Sequence, residues 1–288
     1  MKLSLGERVF QTANILVLGL IGLITIFPIY YVVIVSFTDP AEYLSKDLVL
    51  FPTNWSLDSY RYLLSTSAFP QALGVSAFLA VVGTACSLIV TSSLAYALSR
   101  KRMQGRRPIM LMILFTILFT PGIIPNYILV RELGLLNSLW AVILVSLSTG
   151  WFVILMRGFF QSIPESLDEA AAIDGCNDIT AFFRIVLPLS MPAIAAFGLF
   201  FAVGYWNQYF NAMLYLNSPD KWPIQVLLQN MLVDASGSSM VSETFNQPPP
   251  SETLKMAAVV IAILPIVMVY PFLQKHFAKG AMVGSIKG

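Results

Sequence analysis

Charged side chains are scarce in this sequence: 17 basic and 15 acidic residues make up 11% of the 288 residues. A soluble domain is on average about 25% charged and about 45–50% apolar, whereas 57% of this chain is hydrophobic. So few charges cannot cover the surface of a soluble globule of this size. The composition excludes a disordered chain and an ordinary cytosolic enzyme, and it predicts a membrane protein.

Histidine and cysteine are also scarce, which limits the chemistry the chain can perform. His276 is the only histidine, and the two cysteines, Cys86 and Cys176, lie in an apolar stretch and a polar segment respectively. No cluster has metal-ligand spacing, and no G-x-x-x-x-G-K-[ST] sequence is present to hold ATP phosphates. We therefore predict no metal site, no catalytic residue and no cofactor bound by this chain itself.

What the sequence does contain is long apolar runs. A bilayer core of about 30 Å needs roughly 20 apolar residues per helix, and six stretches meet this requirement without any Asp, Glu, Lys, Arg or His. They are residues 15–37, 73–99, 109–130, 139–156, 193–216 and 256–273. The predicted fold is all-α, with six transmembrane helices forming a single transmembrane domain over residues 1–288. In the third stretch, Pro121, Gly122 and Pro125 predict a kink.

The basic residues predict the orientation of these helices, because Lys and Arg in short loops tend to stay cytoplasmic. With the N-terminus inside, twelve basic residues fall in cytoplasmic segments and five in outer segments. Five of the twelve lie in one short loop, residues 100–108. We therefore expect both termini in the cytoplasm. The long outer segments 38–72 and 217–253 are then candidates for docking a partner rather than simple connections.

The absence of ionisable groups from the apolar stretches bears on how transport could be driven. Proton-coupled carriers generally need such groups inside the bilayer, so this class is disfavoured. A sodium-coupled carrier working alone could use backbone carbonyls at a broken helix and remains the alternative. An intramembrane enzyme is disfavoured because no stretch pairs a nucleophile with a charged or histidine base. If the chain transports actively, another polypeptide must supply the energy.

The largest predicted cytoplasmic segment, residues 157–192, has the pattern of two short helices. Ser162-Ile163-Pro164-Glu165 resembles a capping box at the start of the first, and Gly175 is suited to end it. Asn177 or Asp178 can cap the second, in which apolar residues recur at helical spacing. These recurring residues are Ile179, Phe182, Phe183 and Val186.

The charges of this segment distinguish two interpretations. An amphipathic helix lying on the membrane surface would carry Lys and Arg on its polar face. Here acidic residues predominate, and anionic lipid would repel them. A helix that docks into another protein is therefore favoured, with its small alanine-lined face entering a groove of the partner.

The same segment resembles the EAA loop of the membrane subunits of binding-protein-dependent ABC importers. The pattern E-A-A-x-x-D-G-x-x-x-x-x-x-F-x-x-I-x-L-P fixes nine positions, with Cys176 standing where alanine is usual. The matching residues are Glu169, Ala170, Ala171, Asp174, Gly175, Phe182, Ile185, Leu187 and Pro188. The first apolar stretch, the basic loop and the C-terminal segment are similar to the carbohydrate-uptake branch, above all to second permease subunits of oligosaccharide importers.

This resemblance implies a function and a set of partners. The chain would be a non-catalytic, multi-pass permease subunit that imports oligosaccharides across the bacterial cytoplasmic (inner) membrane. It would pair with a second, related permease. Two ATPase subunits would bind ATP and Mg on the cytoplasmic side, and a solute-binding protein would deliver the sugar outside. The loop helix would insert into a cleft of the ATPase, with Glu169 facing a basic residue there.

A solute path is expected in the fifth stretch, since hydroxyl-rich ligands favour amides and aromatic faces over charge. The candidate lining residues are Tyr205, Asn207, Gln208 and Asn211. Amides inside a membrane can equally join one helix to another, at about 0.6–2 kcal/mol each. The sequence leaves both roles open for them.

Overall fold

The computed structural model describes residues 5–173, 175–233 and 252–285, and within these residues it is helical and has no strand. In chain order the helices are α1 Leu5–Ser36, α2 Pro40–Ser45, α3 Asp58–Ser65, α4 Ala68–Phe78, α5 Thr84–Ser99, α6 Arg106–Leu118, α7 Ile123–Glu132, α8 Leu139–Val145, α9 Gly150–Gln161, α10 Glu165–Ile173, α11 Asp178–Ala181, α12 Leu187–Leu189, α13 Met191–Trp206, α14 Phe210–Tyr215, α15 Ile224–Val233 and α16 Glu252–Ser285. A mostly helical membrane protein is confirmed.

Three helical segments are long and apolar enough to cross a membrane without interruption. They are Phe10–Ser36 of α1, Ala68–Ser99, and Glu252–Val269 of α16. The second consists of α4 and α5, which are joined by a π-helical turn, Leu79–Gly83, that lets the helix continue. These segments correspond to the first, second and sixth predicted spans.

The third and fourth predicted spans are bent helix pairs, and the fifth begins with α13, which forms a third bent pair with the end of the predicted coupling segment. The bends are 118° between α6 and α7, 57° between α8 and α9, and 84° where the helical run Asp178–Leu189 meets α13. A further interruption, residues 207–209, separates α13 from α14. Counting each bent pair as one span gives up to six crossings.

The break between α6 and α7 has a local cause in the sequence. It falls at residues 119–122, and Gly122 adopts φ +84°, a backbone conformation that L side chains rarely take. Pro121 cannot donate the backbone hydrogen bond that would continue the helix. The predicted kink is confirmed, although the bend is larger than a proline kink within one helix.

Local signals also set the ends of the short helices in the predicted coupling loop. Gly175 has φ +76° just after α10, as expected for a left-handed helix terminus. The side chain of Asn177 accepts a hydrogen bond from the Thr180 amide at 2.8 Å and so caps α11. The Ser162 hydroxyl donates to the Phe159 carbonyl at 2.7 Å, at the end of α9. The Glu165 side chain of the predicted capping box lies outside the described part of the structure.

The chain divides into two compact units, and the larger comprises residues 68–227 and 265–288. Its core is formed by side chains of α5, α8, α9 and α13 together with the π-helical turns Leu79–Gly83 and Phe182–Val186. Fully or almost fully buried members include Leu79, Leu98, Ile143, Met156 and Val186. The broken helix pair α8–α9 and helix α13 thus share one apolar core.

The smaller unit comprises residues 1–67 and 228–264, and a buried carboxylate organises its segment after α1. Glu42, whose side chain is 5% exposed, accepts hydrogen bonds from Lys46 Nζ at 2.6 Å and from the Thr53 and Asn54 amides at 2.8 and 2.7 Å. The Lys46 ammonium, followed by the two amides, lowers the pKa of Glu42 from 4.5 to about 2. The ionised side chain of Glu42 therefore links α2 to the non-helical segment that precedes α3.

Replacing Glu42 should loosen this segment. Glu42→Gln removes the negative charge that strengthens the hydrogen bonds from Lys46 and the two amides. The Thr53 and Asn54 amide hydrogens should therefore exchange faster with solvent. Because the folded pKa is depressed, the stabilisation is present above pH 4.5 and is lost as pH falls towards 2. Hydrogen exchange followed by mass spectrometry should therefore find the wild-type protection unchanged between about pH 8 and pH 5.

The matched control is Glu132→Gln, since Glu132 is exposed and forms an ion pair with its neighbour Arg131. This variant should leave the exchange of Thr53 and Asn54 unaltered. Equal exchange in Glu42→Gln and the wild type would refute the organising role of Glu42.

Candidate functional site

The second half of the predicted coupling loop is anchored in the core of the larger unit by an aromatic cluster. Phe182 is 7% exposed, and its ring centroid lies 4.8 Å from that of Tyr96 and 6.4 Å from that of Phe160. Tyr96 and Phe160 also contact each other edge to face at 6.3 Å. Because Tyr96 and Phe160 belong to α5 and α9, this cluster packs the loop against two helices of the larger unit.

Polar contacts fix the start of α11 as well. The Tyr96 hydroxyl donates to the Asp178 carbonyl at 3.2 Å, and the Asp178 carboxylate pairs with Arg102. Arg102 belongs to the basic loop after α5, so this loop and the coupling segment are joined by an ion pair. Both partners are more than half exposed, so the pair orients the segment more than it stabilises the fold.

The first half of the loop, by contrast, presents much of its surface to solvent. Ala171 is buried at 5%, and its carbonyl accepts from the Cys176 amide at 2.9 Å, which closes the turn around Gly175. Ala170 is exposed and Ile173 is 86% exposed. Helix α10 therefore has one alanine turned inward and an open face available to a partner.

The sequence motif is divided between these two halves. Glu169 and Ala170 belong to α10, but the Glu169 side chain and Asp174 lie outside the described part of the structure. In the second half, Ile185 and Leu187 are half-buried and Pro188 is exposed. The predicted single face of the second helix is wrong, because the π-helical turn Phe182–Val186 buries Phe182 and Val186 while leaving Ile179 and Phe183 exposed.

The candidate solute residues lie together where the fifth predicted span is interrupted. Gln208 Nε2 and Asn211 Nδ2 both donate to Ser146 Oγ, at 2.9 and 3.2 Å. Ser146 itself lies in the break between α8 and α9. The two interrupted spans are thus joined at their breaks by a serine that accepts from two amides.

Tyr205 is the most deeply buried of the four candidates, with 2% exposure. Its hydroxyl donates to the Ile143 carbonyl at 3.1 Å, and Ser87 lies 2.9 Å away on the other side. These contacts hold the ring against the backbone of Gly83. A Cβ atom placed on Gly83 would approach three ring carbons of Tyr205 to 2.7 Å.

Asn207 differs from the other three because its side chain is exposed. Its carbonyl oxygen accepts one hydrogen bond, from Gln225 Nε2 at 3.2 Å. Among the four candidates, Asn207 therefore offers its amide group most openly to a polar ligand.

Sequence reasoning missed the hydroxyl partners of this region. Ser146, Ser87 and the pair Thr91–Ser148, whose hydroxyls are 2.9 Å apart, lie in stretches judged only by their apolar content. The sequence feature that could have indicated them is a serine or threonine inside a predicted span, because a buried hydroxyl needs a hydrogen-bond partner. The spacing alone does not say which amide that partner is.

Comparison with known proteins identifies the family. Residues 89–283 match the family described as "Binding-protein-dependent transport system inner membrane component". The chain belongs to this family. The match includes the coupling loop and the interrupted fourth and fifth spans, so both candidate regions lie inside the shared part.

Individual relatives of this inner-membrane component cover nearly the whole chain. The Polygalacturonan/rhamnogalacturonan transport system permease protein YtcP of Bacillus subtilis (strain 168) is 48% identical over 98% of this chain and 99% of its own length. Protein LplC of the same organism is 45% identical over 98% of this chain and 96% of its own length.

Solved structures agree with the family assignment. A chain of a bacterial ABC transporter involved in the import of the acidic polysaccharide alginate is 33% identical, with a TM-score of 0.89, and the match covers 96% of this chain and 99% of that one. A chain of a bacterial alginate ABC transporter in complex with an alginate pentasaccharide-bound periplasmic protein is 14% identical, with a TM-score of 0.60, over 93% of each chain. The second likeness concerns the fold alone.

The close approach of Gly83 to Tyr205 gives a test of how this permease packs around its candidate site. Gly83→Ala should destabilise the protein by about 1–3 kcal/mol, because the new methyl group meets a ring that two hydrogen bonds prevent from moving. The midpoint of thermal unfolding of the purified protein in detergent should fall.

Gly74→Ala is the matched control in the same membrane helix, since a Cβ at Gly74 meets nothing within 4 Å. It should be neutral or stabilising by up to about 1 kcal/mol, as alanine favours helix over glycine. If the two variants have the same midpoint, Tyr205 is not held as described.

Proposed function

We propose that this chain is a permease subunit of an ATP-driven importer that moves oligosaccharides across the bacterial inner membrane. The observation that carries the proposal is a loop with two different halves, one anchored through Phe182 and one open to a partner. The 48% identity to a polygalacturonan/rhamnogalacturonan permease and the 33% identity to an alginate importer chain support a sugar as the solute. The chain itself carries out no catalysis.

The proposed architecture has six membrane crossings and a cytoplasmic EAA loop between the fourth and fifth. The three uninterrupted helices and three bent pairs support this number. Twelve basic residues against five support cytoplasmic termini. The single transmembrane domain of residues 1–288 is then completed by other subunits.

The proposed partners follow from the division of labour in such an importer. A second, related permease forms a heterodimer with this one, and two ATPase subunits bind ATP and Mg beneath it. A solute-binding protein delivers the oligosaccharide on the outer side, as the description of the family supports. The nine motif residues from Glu169 to Pro188 form the ATPase-coupling element of this chain.

Purification tests the proposal. An affinity tag on this chain should recover an ATPase and a second permease in mild detergent, when the operon neighbours are expressed together. Recovery of the chain alone, in an active form, would contradict the proposal.

The coupling role of Glu169 leads to a specific prediction. In a desolvated docking site, removing one partner of a charge pair costs about 2–5 kcal/mol, whereas an exposed pair contributes about 0.2–1 kcal/mol. Glu169→Lys adds repulsion and should abolish sugar uptake, either by releasing the ATPase or by uncoupling its hydrolysis. Uptake and solute-stimulated ATP hydrolysis in reconstituted vesicles measure both outcomes.

Glu132→Lys is the charge-matched control, because Glu132 is exposed and lies far along the chain from the loop. It should retain uptake. Normal uptake by Glu169→Lys would place the ATPase contact elsewhere.

The turn at Gly175 gives a second prediction for the same element. Its φ of +76° strains any L residue, while a Cβ there meets no atom within 4 Å. Gly175→Ala should therefore cost about 1–2 kcal/mol through backbone strain alone and reduce coupled ATP hydrolysis. Gly158→Ala, in α9 and equally free of contacts, should retain hydrolysis. Equal loss in both variants would mean that the turn has no special role.

For the solute path, we propose that Asn207 contacts the sugar while Gln208, Asn211 and Tyr205 hold the interrupted helices around it. The exposure of Asn207 and the shared serine partner of the two other amides support this division. Asn207 would then contact the solute, whereas Gln208 and Asn211 would join one helix to another, which are the two roles that the sequence left open.

Asn207→Ala should lower uptake while leaving assembly and basal ATP hydrolysis intact, since its side chain makes one exposed hydrogen bond. Asn217→Ala is the control, because the side chain of Asn217 is exposed and makes no hydrogen bond to any residue that the structure describes. Ser146→Ala should instead weaken assembly, by about 1–3 kcal/mol, as two amide donors lose their acceptor. A fully active Asn207→Ala variant would argue against the proposed contact.

A further inference from the structure

A basic cleft opens where the loop after α5 meets the end of α9. Its volume is about 520 Å³, and its lining includes Lys101, Arg106, Arg107 and Arg157 together with the apolar side chains of Met103 and Met110. Three of these residues are arginines, and charges of one sign clustered around one cleft attract a ligand of the opposite sign.

Two of these arginines are held close together by a neutral group. With the Gln161 amide oriented so that its oxygen faces them, that oxygen accepts from Arg106 Nη2 at 2.9 Å and from Arg157 Nη2 at 3.2 Å. Arg157 Nε also donates to the Leu98 carbonyl at 3.0 Å. Both guanidinium groups are therefore positioned without an acidic partner in these contacts.

Among the side chains that the structure describes, no carboxylate lies within ion-pair distance of Arg106, Arg107 or Arg157. Asp178, which contacts this loop, is paired with Arg102. Guanidinium groups preorganised in this way are suited to bind a phosphate, which can accept several charge-assisted hydrogen bonds at once.

The surroundings of the cleft indicate where that phosphate comes from. Helix α6 begins at the cleft with Arg106 and continues with exposed apolar side chains, including Leu111 at 65% and Phe115 at 60%. On α9, which packs against α6, Phe159 is 46% exposed. A basic site at the end of an apolar helical surface matches a lipid, with its phosphate in the cleft and its acyl chains along the helices.

We propose that this cleft binds the phosphate headgroup of an anionic phospholipid, with Arg106 and Arg157 as its principal ligands. The site is separate from the candidate solute residues and does not depend on which solute is transported. It adjoins the coupling segment through the ion pair between Arg102 and Asp178, so a bound lipid would brace the basic loop beside that segment.

Native mass spectrometry of the assembled transporter, titrated with phosphatidylglycerol in detergent, tests the proposal. Arg106→Gln/Arg157→Gln should bind phosphatidylglycerol about thirtyfold more weakly than the wild type, at roughly fivefold for each removed charge. Arg61→Gln/Arg131→Gln is the charge-matched control, because both arginines are exposed and lie beside acidic residues. It should bind as the wild type does, and an equal loss in the control would overturn the proposal.

Two competitors distinguish the sources of the phosphate. Phosphatidylcholine, which carries no net charge, should bind more weakly than phosphatidylglycerol, and millimolar inorganic phosphate should not displace the lipid. Displacement by inorganic phosphate would mean that the cleft binds a free anion. Equal binding of phosphatidylcholine would mean that the cleft does not distinguish an anionic lipid from one without net charge. Either result would overturn the lipid proposal.

Two further measurements apply if the double variant loses the ATPase or does not assemble. Loss of the ATPase with unchanged phosphatidylglycerol binding would identify the cleft as a protein contact and refute the lipid site. If the double variant does not assemble, Arg107→Gln, which changes an exposed side chain, should weaken phosphatidylglycerol binding about fivefold. Unchanged binding in that variant would also refute it.

Discussion

The packing of Phe182 against Tyr96 and Phe160 is the contact on which the proposed mechanism depends. It places a loop residue inside the core formed by α5 and α9, whereas α10 keeps an open face. A loop that couples two proteins needs one end fixed in its own subunit and one end accessible to the partner. The burial of Phe182 and Val186 provides the first, and the exposed side of α10 provides the second.

A second constraint acts inside the membrane, where interrupted helices leave backbone and side-chain polar groups without water. The breaks at residues 146–149 and 207–209 meet this constraint jointly, because Ser146 accepts from Gln208 and Asn211. The tyrosine next to them is held by Ser87 and Ile143. Polar residues at these breaks therefore stabilise an irregular backbone, whereas Asn207, the exposed member of the four candidates, is the one that we propose to contact the solute.

The sequence predicts those parts of the fold whose causes are local. Apolar length identifies the membrane helices, Pro121 and Gly122 identify the break after α6, and Gly175 and Asn177 identify the turn in the coupling loop. The breaks beside Ser146 and Asn207 could not be predicted in this way, since the hydrogen bonds that support them join residues more than 60 positions apart. The buried role of Glu42 likewise depends on amides 11 and 12 residues away.

Transport into sealed vesicles tests the central claim most directly, because a sodium-coupled carrier and an ATP-driven importer need different energy sources. Vesicles containing this chain with the proposed partner permease and ATPases, and supplied with the solute-binding protein, should accumulate a labelled oligosaccharide only when ATP reaches the ATPases. Accumulation should persist without a sodium gradient. Sodium-driven accumulation by this chain alone, without ATP, would contradict the account.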